Sequence, residues 1–117
     1  MNIAFTIPGR IPSKKNQRQI FQGNLVPSKN FIDWHRNIGL HLLGIPRLNG
    51  PAKEITITIW FPDKRPADLS NKTESIMDLL VDKGILVDDC WQITGPVHLI
   101  PGGIDREYPR AEVVIEC

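Results

Sequence analysis

Alternating apolar and polar residues predict strands at four places along the chain. Residues 2–7, 53–61 and 111–116 follow this pattern, and a further strand is expected over residues 91–100, broken near Gly95. The pattern is clearest at 53–61, where β-branched residues fill the stretch and isoleucine recurs at every second position. Together these stretches predict a sheet whose strands each bury one face.

Apolar residues spaced three and four apart predict a first helix from residue 31 to about residue 43. Asn30 is expected to cap its start, and Gly44 is expected to end it. The residues predicted to face the core are Phe31, Trp34, Ile38, Leu42 and Leu43.

A second helix is predicted between Pro66 and Gly84, where the same spacing returns. Asn71 and Glu74 have the form of a capping box at its start, and Gly84 is a C-terminal stop signal. The side expected to pack on the sheet carries Ile76, Leu79, Leu80 and Lys83. The opposite side is acidic and carries Glu74, Asp78 and Asp82.

The order of these elements predicts an α/β (α+β) fold in one domain, residues 1–117. Its sheet would be mixed, with about four strands and two helices packed on one face. No apolar run of membrane-spanning length and no leader-like start is present, so a membrane partner is not expected. Cys90 and Cys117 are too few for a disulfide framework, and a reducing cytoplasm is the expected setting.

Charge is distributed unevenly, although the net charge is only +1. Residues 1–50 contain seven Lys or Arg and one acid, whereas residues 51–117 contain seven Lys or Arg and twelve acids. The basic half includes a long loop over residues 8–29, in which a short hairpin is expected over 19–26. This loop is predicted to bind phosphate, because its cations supply charge and its amides add hydrogen bonds; the alternative is a merely solvated loop. It contains Arg10, Lys14, Lys15, Asn16, Arg18 and Lys29.

Seven acidic residues crowd into positions 63–89, around the second predicted helix. They are Asp63, Asp68, Glu74, Asp78, Asp82, Asp88 and Asp89. Carboxylates before, on and after the helix are expected to meet, and ligands that are all oxygen suit Mg²⁺ or Mn²⁺. Zinc is not expected, because the histidines and cysteines lack paired spacing. The alternative is structural: a solvated helix face, with Asp68 as a helix cap and Asp88-Asp89 in a turn.

An ordered motif runs from Asp68-Leu69-Ser70-Asn71 through Asp78-Leu79-Leu80 and Gly84 to Asp88-Asp89. This order resembles the RusA-like family of Holliday-junction resolvases, small endodeoxyribonucleases common in phages and prophages. The loop at residues 12–16 and the opening strand also look like family features, so the resemblance spans nearly the whole chain.

The resemblance implies a Mg²⁺-dependent, structure-selective endodeoxyribonuclease that cuts four-way DNA junctions as a homodimer in a bacterial or phage-infected cell. Mn²⁺ is expected to substitute for Mg²⁺. The implied metal ligands are Asp68, Asp88, Asp89, Glu74 and Asp78. The implied catalytic residues are Asp68, Asp88, Asp89, Glu74 and Lys72. The DNA contacts are expected from Lys14, Lys15, Asn16, Arg18, Lys29, Asn71 and Lys72.

Two positions depart from the family pattern. Ser70 replaces the second aspartate of the turn, and Glu74 stands where the best-known members carry a lysine. One hypothesis is that Glu74 reaches the metal, while Lys72 or a loop lysine replaces the lost cation. The alternatives are a DNA-binding protein of the same fold with a disabled metal site, and a metal-dependent hydrolase of small phosphorylated substrates.

Overall fold

The computed structural model describes residues 2–12, 18–21, 24–27 and 29–117. Within these residues the strands are β1 (Asn2–Pro8), β2 (Arg18–Phe21), β3 (Asn24–Pro27), β4 (Glu54–Phe61), β5 (Val97–Ile104) and β6 (Arg110–Glu116). The helices of the same residues are α1 (Lys29–His41), α2 (Leu69–Asp82) and α3 (Trp91–Thr94). The predicted α+β fold with a mixed four-stranded sheet is confirmed. None of the described helices is long and apolar enough to cross a membrane.

The sheet has the strand order β1, β6, β4, β5, and β4 and β5 are its parallel pair. A parallel pair needs a crossover, and here the crossover contains α2, which therefore runs back along the sheet against the direction of β4. The start of α2 lies near the end of β4, and its last turn lies near the start of β5. The strands begin or finish at two opposite ends of the sheet. We call the end with Pro8, Phe61 and Arg110 the front end, and the end with Glu54 and Val97 the back end.

The core lies between the sheet and the helices α1 and α2. Its buried side chains include Ile55, Ile57 and Ile59 of β4 and Ile76, Leu79 and Leu80 of α2, all at most 2% exposed. They are buried because β4 alternates its side chains between two faces, while α2 presents one apolar stripe to the sheet. The two patterns read from the sequence are confirmed here.

The first helix differs from its prediction at both ends. α1 begins at Lys29, so Asn30 lies inside the helix and is not its cap. The helix ends at His41, before Gly44. Leu42 and Leu43 both follow that end: Leu42 is buried as predicted, whereas Leu43 is 80% exposed, so its predicted place in the core is wrong.

The second helix begins earlier than predicted. Its N-cap is Asp68, so the predicted capping box of Asn71 and Glu74 is wrong. Its end is confirmed: Gly84 follows the C-cap Lys83 and has a φ of +77°, which glycine adopts without strain. The predicted hairpin in the basic loop is also confirmed, as the pairing of β2 with β3.

The strand predicted over residues 91–100 is wrong in its first part, which forms the short helix α3. A hydrogen bond from the Ala52 N–H to the Ile93 carbonyl oxygen, at 2.7 Å, ties α3 to the chain before β4. β5 then runs to Ile104 and contains Pro101. Proline is tolerated there because β5 is an edge strand, where one side of the backbone has no strand partner.

Candidate functional site

The predicted DNA-binding residues are only partly within the described structure. Lys14, Lys15 and Asn16 lie outside the described residues. Arg18 is the first residue of β2, and Lys29 is exposed at the first residue of α1. Asn71 and Lys72 lie in the first turn of α2, at the front end. DNA contacts by these residues stay predictions.

The start of α2 is organised by Asp68, whose carboxylate caps the helix. Its Oδ1 accepts hydrogen bonds from the Ser70 N–H (3.0 Å), the Ser70 hydroxyl (2.7 Å) and the Asn71 N–H (3.3 Å). Ser70 is thus a donor to Asp68, whereas an aspartate at that position would place a second negative charge beside it. The structural alternative for Asp68 is confirmed, and a metal-ligand role for it stays a prediction.

Lys72, also in the first turn of α2, is buried, with 9% of its surface exposed. Its Nζ donates a hydrogen bond to the Ile11 carbonyl oxygen at 2.6 Å. Burial lowers the pKa of Lys72, and the guanidinium groups of Arg10 and Arg65 lower it further. A buried ammonium group beside two other cations is unfavourable unless an anion joins them.

Arg10, Arg65 and Lys72 line one cleft at the front end, which we call the cationic cleft. Its wall also contains Trp60, Phe61, Pro62 and Asp63. Asp63 accepts hydrogen bonds from the Arg65 side chain at 2.8 and 3.0 Å and from the Arg65 N–H at 3.0 Å. These bonds lower the pKa of Asp63 to about 2. Among the residues that the structure describes, no carboxylate lies within salt-bridge distance of Arg10 or Lys72, although Arg10 is near enough to Asp63 to lower its pKa.

Arg65 is a candidate functional residue that the sequence reasoning missed. The signal was its position just after the clearest predicted strand, at 53–61. Loops that follow or precede neighbouring strands meet at one end of the sheet, and binding residues often lie on such loops. Arg10 follows β1 at the same end, and Lys72 comes from the helix that starts there.

The acidic face of α2 contacts α1 toward the back end. The Nε2 of His35, on α1, lies 3.7 Å from the Asp78 carboxylate and 3.6 Å from the Asp82 carboxylate. The Lys83 Nζ lies 3.7 Å from the same oxygen of Asp82. These carboxylates therefore have cationic or titratable neighbours, whereas Arg10 and Lys72 of the cationic cleft have no carboxylate at salt-bridge distance among the described residues.

Asp88 and Asp89 follow α2, and both are exposed. The Asp88 carboxylate accepts a hydrogen bond from the Asp89 N–H at 2.7 Å, so this pair lies in a turn, as the structural alternative predicted. α2 has 14 residues, so at 1.5 Å per residue the helix between Asp68 and the residues that follow it is about 20 Å long. The expected meeting of the acids before and after the helix stays a prediction.

The implied metal ligands are all carboxylates, which suit Mg²⁺. Among the described residues, however, no three His, Cys, Asp or Glu side chains are grouped to hold a metal ion. Glu74 is exposed in the second turn of α2 and is not part of the cap, which removes the capping-box explanation for it. The ligand roles of Glu74, Asp78, Asp88 and Asp89 stay predictions.

Neither of two comparisons with known proteins assigns this chain to a family. No protein-family model matches the sequence, and no curated protein matches it. The motif order and the geometry of the described residues are therefore the basis for a functional assignment.

Proposed function

We propose that this protein binds the phosphate backbone of DNA at the cationic cleft and acts on branched DNA as a Mg²⁺-dependent endodeoxyribonuclease. The observation that carries the proposal is the convergence of Arg10, Arg65 and Lys72 on one cleft. Among the described residues that line the cleft, Asp63 supplies the one carboxylate beside these three cations. A cleft of this charge attracts anions, and phosphate contacts supply most of the affinity of proteins for DNA.

The environment of Lys72 supports phosphate binding most directly. Its pKa is lowered by burial and by Arg10 and Arg65, so a phosphate placed beside it would relieve an unfavourable arrangement of charge. Arginine can hold a phosphate through two parallel N–H donors, and lysine acts as a point charge. The Arg65 side chain is already oriented by Asp63, which reduces the entropy lost when DNA binds.

Cleavage is proposed from the motif order. Asp68 lies at the start of α2, whereas Asp88 and Asp89 follow its end, and the helix between them is about 20 Å long. We therefore propose a homodimer in which the start of α2 in one copy faces the turn after α2 in the other. Two-fold dimers are the commonest assemblies, and a four-way junction offers matching symmetry. Mg²⁺, or Mn²⁺ in its place, is the proposed cofactor.

A second candidate is a branched-DNA-binding protein without nuclease activity. The observation that favours it is the capping role of Asp68, whose Oδ1 already accepts hydrogen bonds from Ser70 and Asn71. The family's second turn aspartate is also replaced, by Ser70. Both candidates use the cationic cleft, and they differ in whether the bound DNA is cut.

Incubation of the protein with a labelled four-way junction and with a linear duplex, each in Mg²⁺, Mn²⁺ or EDTA, separates the two candidates. The nuclease predicts paired nicks in the junction with either metal and none with EDTA. The binding protein predicts a retarded junction in native gels and intact strands in every buffer. No binding to either DNA at low salt would contradict both candidates.

A further inference from the structure

A cluster of Trp60, Tyr108 and Arg110 lies beside the cationic cleft. The guanidinium carbon of Arg110 is 4.1 Å from the centroid of the Trp60 ring and 4.9 Å from that of the Tyr108 ring. In the sheet, Arg110 pairs with Pro8 on one side and with Trp60 on the other. Trp60 also lines the cationic cleft, so the cluster and the cleft share the front end.

Arg110 is neutralised and fixed by its hydrogen bonds. Its Nη1 donates to the Asp105 carboxylate and to the Tyr108 carbonyl oxygen, both at 2.9 Å. Its Nε donates to the Glu112 carboxylate at 3.1 Å. The Tyr108 N–H donates to Asp105 at 3.0 Å, which fixes the backbone of Tyr108 as well. With two carboxylate partners and 16% of its side chain exposed, Arg110 is placed to position the rings and not to bind phosphate.

The two rings differ in how far they are covered. A Cβ added at Gly102 would lie 2.5 Å from the Trp60 ring, so the backbone there packs directly on that ring. Tyr108, in contrast, is 48% exposed, although Arg110 lies against it. A ring that is held in place and half open to solvent can stack on a flat ligand, and every nucleobase has a π-face.

We infer that Tyr108 stacks on an unpaired base of the DNA whose phosphates occupy the cationic cleft. This inference rests on the proposed function and narrows its substrate to DNA with unpaired bases, as at a branch point. A base inside a duplex is stacked on its neighbours, so a surface ring adds affinity for unpaired bases. Replacement of a base-stacking aromatic residue by alanine weakens binding by about 5- to 150-fold per base.

Three fluorescein-labelled DNAs test the inference: a duplex, the same duplex with a short bulge, and that bulge built from abasic nucleotides. Anisotropy titrations in EDTA give the Kd for the parent, Tyr108→Ala, Tyr108→Phe and the control Ile100→Ala, which changes an exposed residue of β5. The parent, Tyr108→Phe and Ile100→Ala should bind the base-containing bulge at least about 5-fold more tightly than the abasic bulge. Tyr108→Ala should bind the two bulges equally.

The ratio of the two bulge affinities is measured within each variant, so partial unfolding of Tyr108→Ala would lower both affinities and leave the ratio unchanged. An undiminished preference for bases in Tyr108→Ala, or no preference in the parent, overturns the inference and leaves the proposed function standing. Parental binding that is absent or insensitive to salt for all three DNAs contradicts the proposed function itself.

Discussion

The two ends of α2 carry different charged side chains, and some of these charges oppose the helix dipole. A helix has a partial positive charge at its start and a partial negative charge at its end, so acids stabilise the first turn and cations the last. In α2 the N-cap Asp68 and the C-cap Lys83 follow this rule, but Lys72 in the first turn and Asp82 in the last turn oppose it. Each such charge costs about 0.3–1 kcal/mol.

The charges of α2 that oppose its dipole are explained by binding partners and not by the stability of the helix. At the front end, Asp68 caps the helix, but Lys72 faces Arg10 and Arg65. That end is complementary to phosphate. The back end presents carboxylates and is complementary to cations, including those of a second copy of the chain. Each end can therefore be tested by its own substitutions.

The largest expected effect is on cleavage. Asp68→Asn and Asp89→Asn should each abolish nicking of a four-way junction in Mg²⁺ and leave binding in place, because an amide keeps the shape and removes the ligand charge. If the two ends combine between copies, mixing the variants should restore nicking to about a quarter of the parental rate, since half of random dimers regain one intact site. A mixture that binds the junction and stays inactive would contradict the shared site.

The second largest effect is expected on stability. It is measured by removing one acid at the start of α2 and, in a separate variant, one acid at its end. Asp68→Ala removes the N-cap and should lower the free energy of unfolding by about 0.5–2 kcal/mol. Asp82→Ala removes an acid that opposes the helix dipole together with an exposed pair to Lys83, so these small opposite effects should leave stability within about 0.5 kcal/mol. Urea unfolding followed by circular dichroism measures both. If both variants lost the same free energy of unfolding, the two acids would not differ in their effect on the helix.

A smaller effect is expected from pH. Burial, Arg10 and Arg65 lower the pKa of Lys72, and DNA favours the charged form, so its contribution to binding is present below that pKa and lost as pH rises through it. This loss occurs below about pH 10.4, the ordinary lysine value. At constant salt, the parent's affinity for duplex DNA should fall from about pH 7 to about pH 9.5 more steeply than that of Lys72→Met. Parallel curves would exclude Lys72 from the DNA contact.

Local patterns predicted most of the fold, because neighbouring residues alone decide which face of a strand or helix is apolar. The alternation at 53–61 and the stripe around Leu79 are examples. The N-cap of α2 could not be chosen, since Asp68 and Asn71 both suit that position. α3 could not be predicted, because it is four residues long and is held by a bond from Ala52, far away in sequence.

The candidate site was predictable only in part. The motif order singled out Lys72, whereas the cationic cleft also needs Arg65, which belongs to no motif. The expected meeting of Asp68 with Asp88 and Asp89 stays a prediction, because sequence order does not show how the chain is folded after the roughly 20 Å of α2. The direction of the crossover helix decides which residues share an end of the sheet.

The salt dependence of DNA binding tests most directly whether the front end holds the phosphates. The slope of log K against log salt for a duplex is measured for the parent and for the double variant Arg10→Ala/Arg65→Ala, which removes two cations of the cationic cleft. The control is Arg36→Ala, which removes a cation beside Asp78 on the other side of α2. Each lost phosphate contact flattens the slope by about 0.9, so the double variant should lose about 1.8 and Arg36→Ala should keep the parental slope. A parental slope in the double variant with a flattened slope in Arg36→Ala would place the DNA at the other end and contradict the front-end site.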